Sequence, residues 1–475
     1  MTDDTTSPAS SLDTPGPAFQ IDADQFFAQP RRSREQRRAT GQAHRDLVPL
    51  AGHATAPPLE GRPDPVSILR GQESDREPAL VPLRYERMSA NPFAFLRGAA
   101  AVMASDLSRV PTSGIRVQLC GDAHLSNFGM FASAERTLVF DVNDFDETLP
   151  GPFDWDVKRL AASAAVAARS AGSSAKKVRH TAKGTASAYR KVMAYLSTMP
   201  TLDVWNVKLD VDFLLEHLGK SNLREAAERA TSKSRKSSSD TAVLKLTETV
   251  DGRRRFRSQP PLLVPVPPDA QEQVIAALSP AYQSYLGTLG PDRIALLTHY
   301  AYVDLAHKVV GVGSVGTLAL VLLLESGDGE PLLLQIKQAN ASVLAPYLGA
   351  SQFDNQGKRV VVGQRVMQST GDPFLGWLRG GGGGGEQKQI DFYVRQLRDM
   401  KASIDVELLD TEGLADYAQV CGAVLARAHA RVGDPSMISG YLGDTEEFDE
   451  AIADFAVAYA DMTDADHAAL LAAAP

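Results

Sequence analysis

CGDAHLSNFG, residues 120–129, puts a carboxylate (Asp122), an imidazole (His124) and an amide (Asn127) close together in a loop flanked by Gly121 and Gly129. A carboxylate that accepts a proton and an amide oxygen that binds a hard cation make a useful pair for chemistry at a hydroxyl. Downstream, LVFDVNDFDETLPGPFDWDVKRL (138–160) adds Asp141, Asp144, Asp146 and Asp156. Alternating apolar runs and turn residues around both segments predict short strands flanking loops. WDVKRLAASAAVAARSAG then predicts a helix of small residues ending at Gly172.

Composition bounds what such a site can serve. The chain has 475 residues, 44% hydrophobic and 23% charged, as in an ordinary globular protein. A net charge of -9 argues against general nucleic-acid binding, which wants a basic surface. Cys120 and Cys421 are its 2 cysteines, too few for a disulfide framework or a repeated zinc-ligand pattern, so a reducing cytoplasm is the expected location. The N-terminus lacks the basic and apolar regions of a signal peptide. The longest uncharged run, Val309–Leu324, is broken by glycines and is short for a membrane span, so no membrane is expected. Residues 1–80 are rich in Pro, Ser, Ala and Arg and read as a mostly mobile tail, with PRRSREQRRATGQAHR a solvated basic segment. Amphipathic helical patterns begin near LVPLRYERMSANPFAFLRGAAAVMASDL. In TAVLKLTETVDGRRRFRSQ, Asp251-Gly252 between two alternating runs signals a β-hairpin, and PPLLVPVPP reads as a connector.

A second segment, KVVGVGSVGTLALVLLLESGDGEPLLLQIKQA (308–339), reads strand, glycine loop, strand, turn, strand. Gly311, Gly313 and Gly316 form a GxGxxG with Ser314 inside it, but a dinucleotide fingerprint needs a helix next, and TLALVLLLES is strand-like. A glycine loop between antiparallel strands, with Lys337 on the strand after them, suits a triphosphate: loop backbone approaches phosphate and the ammonium offsets its charge.

GDAHLSNFG followed by VNDFDETLPGPFDWDVKRL is similar to the motif of aminoglycoside and choline phosphotransferases, a Gly-Asp-x-His-x-x-Asn loop before an Asp-Phe-Asp-like metal site and a Trp-Asp helix start. From about residue 80 onward the chain also resembles the bacterial family called domain of unknown function 2252, at RYERMSANPFAFLRG, GSVGT, NQGKRVVVGQRVMQS, DPFLGW, FYVRQLRDMKAS and LARAHARVGD. The first resemblance implies a catalytic set of Asp122 as base, Asn127, and His124 orienting the loop. It implies magnesium held by Asn127, Asp144 and Asp146, with Asp141 a rival to Asp144, and Asp156 supporting the loop. ATP would lie against Gly311, Gly313, Ser314, Gly316 and Lys337, with the adenine near Val394 and Gln396.

In that superfamily the glycine loop and lysine come first and a helix ending like Leu-Ala-x-Leu-His leads into the catalytic loop. Here VCGAVLARAHARVGD (420–434) stands near the C-terminus. The expected fold is therefore α+β: a two-lobed protein-kinase-like fold, circularly permuted, with a β-rich nucleotide lobe and a mainly helical lobe. The expected parts are a helical catalytic lobe with a hairpin insertion (81–295), a β-rich lobe (296–400) and helices completing the helical lobe (401–475). Permutation keeps the same contacts whichever exposed connection is cut. No Glu lies between Lys337 and Glu386, which leaves Asp354, Gln356 or Gln364 as the expected partner of Lys337, or no such pairing at all. The expected reaction moves the γ-phosphoryl of Mg-ATP to a hydroxyl of a small molecule or peptide. AMP transfer, phosphorylation of a protein partner and a non-catalytic ATP-binding module stand as alternatives. A metallophosphoesterase reading of Asp122-Ala123-His124 fails for want of the further ligand motifs.

Overall fold

A computed structural model describes residues 26–27, 30–219, 221–235, 239–309, 315–381, 389–397 and 400–473. It is a mixed α+β structure. The front of the chain supplies helices α1 (Arg34–Leu47), α2 (Val81–Ser89), α3 (Pro92–Gly98) and α4 (Ala100–Leu107). Two small antiparallel pairs follow, β1 (Arg116–Leu119) with β4 (Leu149–Pro152) and β2 (Phe128–Ala132) with β3 (Leu138–Val142). The CGDAHLSNFG loop runs from β1 into β2. Helix α5 (Phe153–Ser170) then begins at PFDWD as expected, and α6 (Ala175–Leu196) packs beside it.

The alanines of α5 decide this packing. Ala161, Ala162, Ala164, Ala165 and Ala168 are fully buried, so neighbours approach on every side of the helix. Among them is α10 (Thr411–Val432), which crosses α6 where a Cβ at Gly422 would fall 2.3 Å from Thr185 O. A short α11 (Pro435–Leu442) and a long α12 (Glu447–Ala473) close the bundle. Phe153, Tyr189, Tyr441 and Phe448 gather at its centre.

Residues 30–80 correct the expected tail, because from Pro30 on the chain is part of this bundle. Ser33 and Gln36 form a reciprocal cap at the start of α1. The helix then lies on α11 so tightly that a Cβ at Gly41 would sit 1.9 Å from Met437 O. The arginines of the supposed solvated segment hold it there: Arg37 reaches Asp434 at 3.0 Å and Arg45 donates to Tyr441 O at 2.5 Å. Arg62 bonds both Asp106 (2.8 Å) and Asp466 (2.7 Å), linking α4 to α12.

The second body is a six-stranded antiparallel sheet in the order β11-β12-β10-β9-β8-β7. Its strands are β7 (Leu263–Pro265), β8 (Tyr300–Lys308), β9 (Ala319–Ser326), β10 (Pro331–Gln338), β11 (Gly376–Gly381) and β12 (Gln389–Gln396). The GDGE turn joins β9 to β10. Alternation sorts the two faces. Leu332, Leu334, Ile336 and Val394 pack under α8 (Gln271–Leu286), whereas Leu333, Val321 and Leu323 face the other way. Lys337 and Gln335 share the second face with their partners Tyr393 and Arg395. Helix α9 (Gln356–Met367), capped by Asn355, connects β10 to β11.

The Asp251-Gly252 hairpin forms between β5 (Thr247–Val250) and β6 (Arg253–Phe256), with φ of 50° and 76° at the turn, as a type I′ turn requires. Two details differ from the sequence expectation. TAVLKL belongs to α7 (Ser239–Leu246), and the PPLLVPVPP connector contributes β7 as an edge strand, a place that tolerates its prolines. Gly380 and Gly381 close β11, and the rest of the six-glycine run lies outside the described residues. No helix among the described residues is long and apolar enough to cross a membrane.

Candidate functional site

The loop at 120–127 is fixed from below by a buried carboxylate. Asp156, in the first turn of α5, accepts from Cys120 N (2.8 Å) and Gly121 N (3.1 Å). His429 of α10 reaches the same carboxylate through Nε2 at 3.1 Å, while its Nδ1 accepts from Tyr189 Oη at 2.9 Å. Tyr417, also on α10, donates to Leu125 O at 3.0 Å. Gly121 has φ +84° and a Cβ there would fall 2.2 Å from Glu147 O, so only glycine fits the turn. The helix of LARAHARVGD thus abuts the loop although it lies about three hundred residues later in the chain.

Above this base, Asp122, His124, Asn127, Asp144, Asp146 and Glu147 line one cavity of about 260 Å³. Arg76 and Arg97 line it too, together with Thr317 and residues 338–341 at the end of β10. Arg159 holds Asp122 by donating to Oδ1 from Nε at 2.6 Å and also from Nη2. Burial raises the Asp122 carboxyl above its usual range and Arg159 opposes that, leaving a carboxylate inclined to take a proton. Asn127 donates Nδ2 to Asp122 O at 2.7 Å, so Oδ1 is the atom it can offer the cavity. His124 Nε2 lies 3.7 Å from Asp122 Oδ2. Burial, then Arg97 and Arg159, hold its ring well below the usual imidazole value, so it stays neutral.

Asp144 accepts from Asp146 N at 3.1 Å and remains at the cavity edge. Asp141 does not reach the cavity: it is fully buried and spends its oxygens on Arg427, Ser369 N (2.9 Å) and Ser369 Oγ (2.9 Å). Of the two, Asp144 lines the cavity with Asn127 and Asp141 does not. Asp146 sits differently from a free metal ligand, because Lys337 bonds Oδ2 and Tyr393 donates to Oδ1 at 2.8 Å.

That ion pair answers the question of the lysine's partner. Burial alone would lower the Lys337 ammonium, but Asp146, Tyr393 and Asp144 hold it far above its usual value, while Asp146 is kept low. The expected partners are engaged elsewhere: Gln356 with Arg359, Gln364 with Gln368, and Asp354 through its carbonyl with Arg379. Helix α9 supplies a cation instead of a Glu. Its buried Arg359 donates to Asp146 O, Thr148 O and Asn340 O at 2.7–2.8 Å, gripping the Asp144–Thr148 segment against the sheet.

A second cavity, about 600 Å³, is lined by Asn143, Gln335, Arg395, Gln396, Leu397 and Lys401 among others. Gln396 lies here, but the Val394 side chain points into the opposite face with Ile336 and does not enter. Gly316 is described, with φ +90°, and packs against Arg76, which donates to Val315 O at 2.5 Å. Gly311, Gly313 and Ser314 lie outside the described residues.

Among the described residues no group of three or more His, Cys, Asp or Glu side chains is arranged to hold a metal ion. Asn127 and Asp144 fit the lighter demand of magnesium, which is commonly bound by one or two protein oxygens with substrate phosphates completing its shell. Sequence reasoning missed Arg97, Arg159, Arg359, Glu147, Tyr393 and His429. Four of these carried a signal, since a charged residue or His inside an otherwise apolar helix (FAFLRG, VKRLAA, GKRVVVG, ARAHAR) must find a buried partner. Glu147 has burial as the main cause that pushes its carboxyl up to about 7, against a 2.7 Å bond from Val343 N.

No curated protein and no solved structure matches this chain. Residues 76–473 match the profile of a family described as an uncharacterized protein conserved in bacteria, a span that holds every residue of both cavities outside Gln72 and Asp75. The chain belongs to that bacterial family, DUF2252.

Proposed function

We propose that the protein is a phosphotransferase that moves the γ-phosphoryl group of ATP to a hydroxyl of a small molecule or peptide, on a circularly permuted two-lobed, protein-kinase-like fold. The observation that carries this reading is the meeting of Asp122, Asn127 and Asp144 in one cavity that Asp146 also lines, Asp146 being bonded to Lys337 from a segment 191 residues away in the chain. Support for the fold comes from the sheet. A glycine loop between β8 and β9, a lysine on the next strand and a helix after it follow the order of parts in kinases. Support for the permutation comes from α10, which contacts the loop base through His429 and Tyr417 as a helix preceding that loop would.

In this mechanism Asp122 orients the acceptor hydroxyl and takes its proton as the oxygen bonds to the γ-phosphorus. The bond from that phosphorus to the bridging oxygen breaks and ADP leaves. Arg159 keeps Asp122 aimed, and Asp156 keeps the loop under it. Lys337 offsets phosphate charge from the sheet side, and the larger cavity beside Gln335 and Leu397 has the size of a nucleoside pocket. Asn127 and Asp144 would hold Mg²⁺, which when bound screens the phosphate oxygens. Positioning of this kind supplies on the order of 7–11 kcal/mol of barrier reduction.

Incubation with ATP labelled at the α or the γ phosphate, plus cell extract, tests the reading. Transfer of γ label that vanishes in Asp122→Ala is the expected result. Transfer of α label would mean AMP transfer, and absence of both would leave an ATP-binding module.

A further inference from the structure

We propose that Arg97 anchors an oxyanion carried by the acceptor, so that the acceptor is a small hydroxyl compound bearing a phosphate monoester or a carboxylate. This rests on the phosphotransfer reading of the same cavity and names its substrate class.

Arg97 stands on α3, whose start is fixed by Asn91 accepting from Ala94 N at 2.8 Å and by Pro92. Its guanidinium lies over the Phe93 ring at 5.9 Å and lines the cavity beside Asp122 and His124. Nε is buried with no hydrogen-bond partner, and Arg97 makes no ion pair with any described residue. A buried donor left unpaired is costly and rare in a settled fold, and an arginine fork is shaped for an oxyanion.

The other cations around the cavity are engaged. Arg159 bonds Asp122, Leu96 O and Met103 Sδ. Lys337 bonds Asp146, and Arg76, whose Nε is also buried without a partner, is tied through Nη1 to Val315 O beside Gly316. Arg97 shares the cavity wall with Asp122 and His124, facing the space into which the remainder of an acceptor would extend once its hydroxyl meets Asp122.

The test uses the full chain with Mg-ADP held at saturation, titrated calorimetrically with glycerol 3-phosphate, glycerate and glycerol. At least one charged compound is expected to bind about tenfold or more tightly than glycerol, the scale of a charge-assisted bond. Arg97→Gln should erase that preference, and Arg97→Lys, which keeps the charge and controls for folding, should retain part of it. Whichever charged probe wins separates phosphate from carboxylate. A preference that survives in Arg97→Gln, or no preference in the wild type, overturns the assignment. Failure of the phosphotransfer reading shows separately as lack of Mg-ADP binding by the wild type; the same probes titrated without nucleotide then decide whether Arg97 holds an oxyanion at all.

Discussion

Removing the two members of the Lys337–Asp146 pair singly and together should give losses that do not add. The Lys337 side chain is 3% exposed and that of Asp146 25%. Asp146→Ala strands an ammonium that is almost wholly buried, a loss of about 3–5 kcal/mol. Lys337→Met leaves a carboxylate that is partly hydrated and still accepts from Tyr393 at 2.8 Å, so about 1–2 kcal/mol is expected. In the double variant no charge is stranded, and its loss should stay near that of Lys337→Met, a coupling of at least about 2 kcal/mol. Because Lys337 holds the Asp146 carboxyl below its usual value, the coupling should persist through neutral pH and fade only as acid protonates that carboxylate. Urea unfolding followed by fluorescence of Trp155, Trp205 and Trp377 measures it. Losses that simply add would refute the view that this pair ties the sheet to the acidic loop. Calorimetry on the same variants should show Mg-ATP binding severely weakened in Lys337→Met, and unchanged affinity would remove the lysine from the phosphate site.

Three further outcomes are expected. Asp122→Ala should lower turnover at least about a hundredfold while nucleotide still binds, and equal rates would exclude it as the base. Asp156→Ala strands the Cys120 and Gly121 amides and His429, which should cost about 3 kcal/mol and lower the thermal midpoint; a stability equal to wild type would show that the loop stands without it. Glu147→Gln should stabilise the protein above pH 7 and change little below pH 4.5. The folded state binds this proton more tightly than the unfolded chain does, so wild-type stability falls as pH rises from 4.5 to about 7, by at most about 3 kcal/mol, and a permanently neutral amide escapes that fall. A variant whose difference from wild type does not depend on pH would contradict the burial assigned to Glu147.

Local chemistry made part of this legible. Asp251-Gly252 specifies its turn by φ alone, α5 begins at PFDWD, and Asp122, Asn127 and Asp144 stand out because each lies in a loop between short strands. Asp141 could have been set aside on the same grounds, since it lies within the strand LVFDV, where a buried carboxylate needs a cation such as Arg427. What stayed hidden was held by distant partners. Helix α1 has few apolar residues, and it is ordered by a glycine crossing with α11 and by arginines that bond residues about four hundred positions away. Composition cannot register such contacts. Kinases place the partner Glu of this lysine on the following helix, and the sequence here offers no Glu there. In this chain α9 presents Arg359 to the Asp146 carbonyl, and the carboxylate that meets Lys337 comes from the loop.

The exchange of charge between helix and loop bears on how the cavity responds to a ligand. Asp122 and Asn127 are set by the helical body, through Arg159, Asp156 and α10. The Asp144–Thr148 segment is set by the sheet body, through Lys337, Tyr393 and the three carbonyl bonds of Arg359. The proposed cation ligands Asn127 and Asp144 thus belong to different anchors, and any shift of the sheet against the bundle changes their separation. In the proposed reading a triphosphate would compete with Asp146 for Lys337, and the three carbonyl bonds of Arg359 would keep the segment in place once that ion pair is given up. Arg359→Lys, which cannot bridge three carbonyls at once, should therefore weaken Mg²⁺-dependent nucleotide binding more than binding of the same nucleotide without Mg²⁺. Equal losses in the two titrations would mean that Arg359 supports the fold as a whole and not the setting of Asp144.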